Sequence, residues 1–421
     1  MRKLNVWRIG DEDAHLVGEI IDRPIAFRYS ASYLESSGAH AISLSLPLRD
    51  DPFSEEELVP YFNGLLPENE TRTAIANALR TTPDDFLTIL LHCGREIIGD
   101  VAITEEKPPI VSGSYVPLSS EEFRHMFEDL SSLAKSNQES RLSLAGSQGK
   151  TGLAHLPGNR LDEGWFQPVG GAASTHVLKV CSLEDIPYLE YLCLKAARSM
   201  GIRTPDVELF SAGRPILCIE RFDRVCRMDN GDLRVSRLHQ EDIAQAFGIA
   251  PQAKYSELSP TTASAIAALL RQKSKRPVKD LSEFLKISLF NYLVGNCDNH
   301  LKNISLLYGK TWKELELAPA YDLVPTTRYE RFSTRMGMDI NGKREIGEID
   351  ASDWIAFAND IGVHADELGA QCKTFVENVV PAFSAAARNH PGIPELGWLA
   401  DNLCEEMHAR WKVLESLANN H

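Results

Sequence analysis

No run of apolar residues in the 421-residue chain approaches the ~18 or more that a membrane-spanning helix requires. The opening "MRKLNVWRIGDEDAH" carries early basic residues but no apolar stretch behind them, which argues against a secretory signal. Cysteine is unpatterned. The eight residues at 93, 181, 193, 218, 226, 297, 372 and 404 include no C-x-x-C pair and no zinc-ligand spacing. They read as reduced, mostly buried thiols of a cytoplasmic protein. Positive charge is also in deficit: 44 Lys and Arg stand against 59 Asp and Glu, a formal net charge of -15. Such a field repels a phosphate backbone, so the chain is not expected to bind nucleic acid by itself. The densest basic run, "RQKSKRPVKD" (271–280), reads as a solvated loop between helices. Repeats and low-complexity tracts are absent, which excludes solenoids and arrays.

What is present is an ordinary globular composition, 43% apolar and 24% charged, long enough for two or three domains. Residues 1–106 read as short strands, "HLVGEII" and "IAFRYS", followed by helices, with Asn69 as the expected N-cap of "ENETRTAIANALR". The Pro-, Ser- and Gly-rich stretch 105–120 marks a boundary. From about 140 to 225 strands dominate, "THVLKVC" and "RPILCIERFDR" among them, around a single helix at 186–201. Beyond 235 apolar residues recur mainly at i, i+3 and i+4, including over "LHQEDIAQAFG" and "LSEFLKISLFNYLVG". The expected class is α+β, a mixed lobe followed by a mainly helical one.

The chemistry concentrates in "GNCDNHLKNISLLY" (295–308), where a helix ends at Gly295 and an apolar strand begins after Asn303. Asp298 and Asn303 stand five apart, the D-x-x-x-x-N spacing of a kinase catalytic loop, in which Asp accepts the substrate hydroxyl proton and Asn holds magnesium. His300 and Cys297 alone, without a distant ligand pair, make a poor transition-metal site. Further on, "LAPAYDLVP" places Asp322 just after an apolar run. Magnesium takes one or two protein oxygens and fills its remaining positions with water and phosphate, which Asn303 and Asp322 could satisfy. As a turn residue ahead of Pro325, Asp322 has an equally plain structural explanation.

Nucleotide-handling features lie upstream. "SLAGSQGKTGL" (143–153) is small and Gly-rich, suited to close approach of backbone N–H groups to phosphates. It is not a Walker loop, because Leu144 stands where the first glycine belongs. Lys179 suits a strand lysine that pairs phosphates, with Glu190 as its ion partner; the plainer alternative is an edge-strand lysine and a solvated helix charge. At "CIERFDR" (218–224) the carbonyl of Glu220 and the N–H of Phe222 match the donor and acceptor edge of adenine.

Taken together these segments resemble one family, the HipA-type serine/threonine kinase toxins of bacterial type II toxin–antitoxin systems. "ISLSLPL" (42–48), "FNGLLPEN" (62–69) and "GREIIGDV" (94–101) are similar to its N-terminal subdomain. "SLAGSQGKT" resembles its phosphate loop, "THVLK" its ATP lysine, and "ERFDR" followed by "LHQEDIAQAFG" a pairing specific to it. "DNHLKN", "PAYDL" and "RMGMDINGK" (335–343) resemble its catalytic, metal and C-terminal segments.

The resemblance implies a two-lobed kinase-like fold related to the lipid kinases. It implies three parts: an N-terminal subdomain over 1–108, an ATP-binding lobe over 109–225 and a helical lobe over 226–421. It implies ATP and Mg2+ as cofactors and transfer of phosphate to serine or threonine. Asp298 would be the base, and Asn303 and Asp322 the metal ligands. Ala145, Gly146, Ser147, Gln148, Gly149, Lys150, Lys179, Glu220, Arg221, Phe222 and His300 would hold ATP. Ser143 would be the autophosphorylation site, with Ser147 a second candidate hydroxyl in the same loop. Added phosphate there brings about -1.5 to -2 charge beside the ATP phosphates, a route to self-inactivation. The implied substrate is an aminoacyl-tRNA synthetase such as the glutamyl enzyme. The implied partner is a small helix-turn-helix antitoxin, HipB-like, through which alone the chain would meet DNA. Two alternatives share these residues: a kinase for a small molecule or lipid, and a catalytically idle module that co-represses with the antitoxin.

Overall fold

The computed structural model describes residues 2–94, 97–128, 149–158 and 163–419. The chain divides into two compact units, each discontinuous in sequence. The first comprises 1–184, 208–252 and 307–313; the second comprises 185–207, 253–306 and 314–421.

Alternating burial along β1 (Lys3–Ile9) and β2 (Ala14–Asp22) makes them half-buried strands. With β3 (Ile25–Tyr29), β4 (Phe53–Ser54) and β5 (Val101–Thr104) they form a five-stranded sheet in the order β4-β3-β2-β1-β5. Phe27, Tyr29, Phe53 and Phe62 pack as a buried aromatic cluster on this sheet. The helix expected from Asn69 runs Asn69–Ala78, but Glu68 holds the N-cap position and Asn69 has φ 51°. Asparagine tolerates that left-handed value where most residues do not.

The second sheet of this unit has six strands: β6 (Gly113–Pro117), β7 (Gly149–His155), β8 (Trp165–Gly170), β9 (His176–Val180), β10 (Val207–Ser211) and β11 (Pro215–Glu220). Their order is β10-β11-β9-β7-β8-β6, so β9 is an interior strand and Lys179 is not an edge lysine. Leu153, Trp165, Leu178, Val180, Ile216 and Cys218 form the core beneath it. A hairpin of β12 (Arg224–Asp229) and β13 (Asp232–Arg237) follows, turning at Asn230 and Gly231, both at positive φ. The helix expected over 238–248 is instead strand β14 (Gln240–Asp242) and one short turn, Ile243–Ala246. Asp242 and Gln245 form a capping box at that junction.

The second unit is mainly helical, with α-helices at Ile186–Ser199, Thr262–Lys273, Pro277–Val294, Ala351–Asp360, Ala365–Arg388, Glu395–Glu406 and His408–Asn419. It holds the start of β15 (Ser305–Tyr308), together with β16 (Leu315–Leu317) and the paired strands β17 (Arg335–Ile340) and β18 (Lys343–Glu345). The basic run 271–280 spans a helix junction and is internally engaged. Arg271 donates to the Ile361 carbonyl, Lys275 pairs with Glu316, and Arg276 pairs with Asp280 and Glu316. Among the described residues no helix is long and apolar enough to cross a membrane. All eight cysteines are free, five of them buried.

Candidate active site

In the second unit the helix Pro277–Val294 ends on Gly295 at φ 79°, a left-handed C-cap that most side chains disfavour. A Cβ there would lie 2.1 Å from Thr327 Oγ1. The turn that follows is fastened at Asn296, Cys297 and Asn303. The Asn296 amide donates to Asn291 Oδ1 and to the Asp322 carbonyl, 2.8 and 2.9 Å. Cys297 N–H donates to Thr326 Oγ1 at 2.8 Å, and Asn303 Nδ2 donates to the Asp298 carbonyl at 2.8 Å. Burial pushes the Cys297 thiol up to about 11, so it stays protonated and is no nucleophile.

This turn leaves the Asp298 side chain 52% exposed, with His300 Nε2 3.9 Å from its Oδ1. The Asn303 bond employs its amide nitrogen, so the oxygen is the atom suited to a hard cation. Asp322 sits at φ 55°, a sparsely populated backbone state for a residue with a side chain. Its segment is held by Ala320 N–H donating to the Arg203 carbonyl at 2.7 Å. Tyr321 Oη donates to the Lys302 carbonyl and also bonds Ser305 Oγ, each at 2.7 Å, which staples the 318–325 segment to the 298–303 turn. An amide oxygen and a carboxylate presented by two cross-linked loops are a donor set that fits magnesium.

Gly337 of β17 closes the turn from behind. Its N–H donates to the Cys297 carbonyl at 2.7 Å, and a Cβ on it would lie 2.7–2.8 Å from Asn299 C and O and His300 N. Tyr255 Oη donates to Asp298 Oδ1 at 2.5 Å. The sequence singles out none of Asn296, Tyr321, Tyr255 or Gly337. Each acts across a sequence distance that local periodicity does not register, though the glycine inside "RMGMDINGK" interrupts a strand, which is itself a sign of close backbone approach.

In the first unit, Lys150 on β7 stands directly opposite Lys179 on β9. Like charges directly opposite in an antiparallel pair repel, and an anion beside them relieves that repulsion. Lys179 is nearly buried, at 8% exposure. A cationic pair on adjacent interior strands fits the phosphates of a nucleotide. Glu190 belongs to the second unit and is buried rather than a solvated helix charge. Glu220 ends β11, opposite His176, and is exposed.

Arg221 N–H donates to the Thr175 carbonyl, and its guanidinium is buried against Asp223 at 2.9 and 2.7 Å. Arg224 and the Gly99 N–H share the Asp223 carboxylate, each at 2.8 Å. Burial works to raise the Asp223 pKa, but the two guanidiniums prevail and hold it well below the usual carboxylate range. Arg221 therefore shapes the exit of β11, its guanidinium tied to Asp223 and its backbone to Thr175. Ser143, Ala145, Gly146, Ser147 and Gln148 lie outside the described residues.

Two family models match the chain: the HipA N-terminal domain over residues 5–104 and the HipA-like C-terminal domain over residues 142–386. "Putative kinase Y4mE" of Sinorhizobium fredii is 35% identical over 377 residues, covering 86% of each chain. "Serine/threonine-protein kinase toxin HipA" of Shewanella oneidensis is 26% identical, covering 83% of this chain and 82% of its own. Among solved structures, a chain from the Shewanella oneidensis toxin–antitoxin complex of HipA, HipB and its operator DNA superposes with a TM-score of 0.81 at 23% identity, covering 99% of both chains.

Proposed function

The chain belongs to the HipA family and has its two-lobed kinase-like fold, and from that premise we propose that it is an ATP- and magnesium-dependent serine/threonine protein kinase acting as the toxin of a type II toxin–antitoxin pair. The observation that carries this reading is the turn at 298–303, where a half-exposed Asp298 carboxylate is presented on a backbone that Asn303 itself clamps. Asp298 accepts the proton of the incoming serine or threonine hydroxyl. Asn303 Oδ1 and the Asp322 carboxylate hold magnesium, which when bound neutralises charge on the transferring phosphoryl group. Lys150 and Lys179, with Gly149 and the 145–148 loop, bind the phosphates. The Glu220 carbonyl and Phe222 N–H meet adenine, Arg221 fixes their position, and His300 faces the nucleotide beside Asp298.

The substrate in this reading is an aminoacyl-tRNA synthetase such as the glutamyl enzyme, whose loss stops translation. Ser143, or Ser147, takes phosphate in self-inactivation. A HipB-like helix-turn-helix antitoxin neutralises the toxin and bridges it to DNA, a division of labour that suits a chain of net charge -15. The solved Shewanella complex joins HipA, HipB and operator DNA, which supports a partner of that kind here.

The test is intact mass after incubation with Mg-ATP, for wild type and Asp298→Asn, with the phosphate mapped. A gain of one phosphate in the wild type alone, on Ser143 or Ser147, is the expected result. Absence of gain in protein that begins unphosphorylated, together with no ATP binding by calorimetry, overturns the kinase reading.

A further inference from the structure

Tyr255 is the unassigned side chain at this site that touches the group assigned as base. Its phenolic O–H donates to Asp298 Oδ1 at 2.5 Å. That is the geometry of a short, charge-assisted O–H···O⁻ bond, and it is the contact an acceptor hydroxyl must make before it gives up its proton. One lone-pair direction of the carboxylate cannot serve two hydroxyls at that distance.

Main chain and side chain of Tyr255 are held very differently. The backbone is fixed on both sides. Leu301 N–H donates to the Lys254 carbonyl at 3.2 Å, and Arg344 Nη2 donates to the Tyr255 carbonyl at 2.9 Å. Arg344 is itself tied to the Gly337 carbonyl at 3.0 Å and to Glu257 at 3.1 Å. The ring, by contrast, lies on the surface. Tyr255 is 46% exposed, edge-on to His300 at 5.2 Å, with Lys254 Nζ 5.6 Å from its ring centre. Rotation about its own side-chain bonds withdraws the phenol from Asp298 without breaking a backbone hydrogen bond.

We propose that Tyr255 occupies the acceptor-hydroxyl subsite of the resting protein and must rotate away before a serine or threonine hydroxyl can reach Asp298. The inference rests on the assignment of Asp298 as base. Tyr255 is then a substrate-gating residue, and the apparent affinity for acceptor protein is reduced by the fraction of molecules in which the phenol is seated. Nucleotide binding carries no such factor, because the phenol covers Asp298.

The experiment compares wild type and Tyr255→Phe, with Asp298→Asn as control. Dephosphorylated casein serves as acceptor probe, and a water-soluble carbodiimide with glycine ethyl ester labels exposed carboxylates. In Tyr255→Phe the KM for casein should fall by about tenfold, the scale of one hydrogen bond to a charged group. The value of kcat should be maintained and the KM for ATP unchanged. Labelling of Asp298, read by peptide mass spectrometry without nucleotide, should rise. A fall in kcat at constant casein KM, with Asp298 labelling unchanged, overturns the proposal and makes Tyr255 a positioning residue. Labelling that rises while wild type and both variants are equally inert towards casein and towards themselves keeps the phenol on the carboxylate but removes the kinase assignment, and the gate with it.

Discussion

At the scale of single residues, the chemistry depends on groups that perform no chemistry. Gly337 bears no side chain, and the turn that carries Asp298 occupies the space where one would be. Gly337→Ala should therefore push Asn299 and His300 aside, because a contact of 2.7 Å to backbone cannot be absorbed by a rotamer change. The expected result is a loss of at least about tenfold in kcat, since misplacing a reacting group by a fraction of an ångström is felt directly in the rate. Steady-state kinetics beside a melting curve checks it: activity should fall well out of proportion to stability. Asp298, Asn303 and Asp322 are proposed from residue type and spacing, and the structure sets them on two segments stapled together through Tyr321. Gly337, Tyr321 and Tyr255 are harder to read, because their partners lie 16 or more residues away and, apart from the strand-interrupting glycine itself, nothing in their own neighbourhood marks the contact. Asn69 illustrates the opposite error. Its type suggests a cap, but the structure uses its tolerance of positive φ instead.

At the scale of elements, the turn is a corner between the helix Pro277–Val294 and β15, and Gly295 is its pivot. This frame is readable in advance: helical periodicity, a terminal glycine, then a short apolar run. The length of the polar corner follows from those limits. Gly295→Ala meets two penalties at once, the left-handed backbone and the clash with Thr327 Oγ1. A destabilisation of at least about 2 kcal/mol is expected from strain of this kind, with Arg410, Thr326 and Thr327 displaced around it. Denaturant titration followed by the tryptophans of the second unit, Trp354, Trp398 and Trp411, measures it. Other elements escape the sequence reading for definite reasons. The β12–β13 hairpin is short and exposed, so it lacks an apolar face to announce it. β14 sits inside a stretch whose i, i+3, i+4 pattern suits a helix, and the capping box at Asp242 starts that helix later than periodicity suggests.

At the scale of the whole molecule, buried titratable groups set how stability responds to acid. Burial, with a smaller push from His155, holds the His176 pKa down at about 4, and its Nδ1 is paired with Thr175 Oγ1 at 2.8 Å. As pH falls below 6.5 the unfolded chain takes up a proton that the folded imidazole refuses until about 4. Stability from this group is therefore present above pH 6.5 and lost between 6.5 and 4, by roughly 3 kcal/mol in total if it acts alone. Asp223, held low, adds a loss at still lower pH, as the unfolded carboxylate protonates first. Glu241 has the opposite sign. Burial raises its pKa despite bonds from Ser43 and Tyr308, so its contribution weakens as pH rises above 4.5. Comparing wild type with His176→Gln cancels Glu241 and Asp223. The stability difference between them should change across pH 6.5 to 4 and be flat above, and a flat difference throughout would contradict the assignment.

The chain passes between its two units five times, at residues 184, 207, 252, 306 and 313. Synthesis proceeds from the N-terminus, so the first unit lacks its last segment until Lys313 has left the ribosome, and the second until the final helices follow. A stop codon after Lys313 leaves the first unit complete but the second unfinished, and no single cut between residues separates one unit from the other. In the proposed function a kinase built this way stays inert while nascent, because Asp298 and the candidate metal ligands Asn303 and Asp322 emerge before the helices of 351–419 that complete their unit.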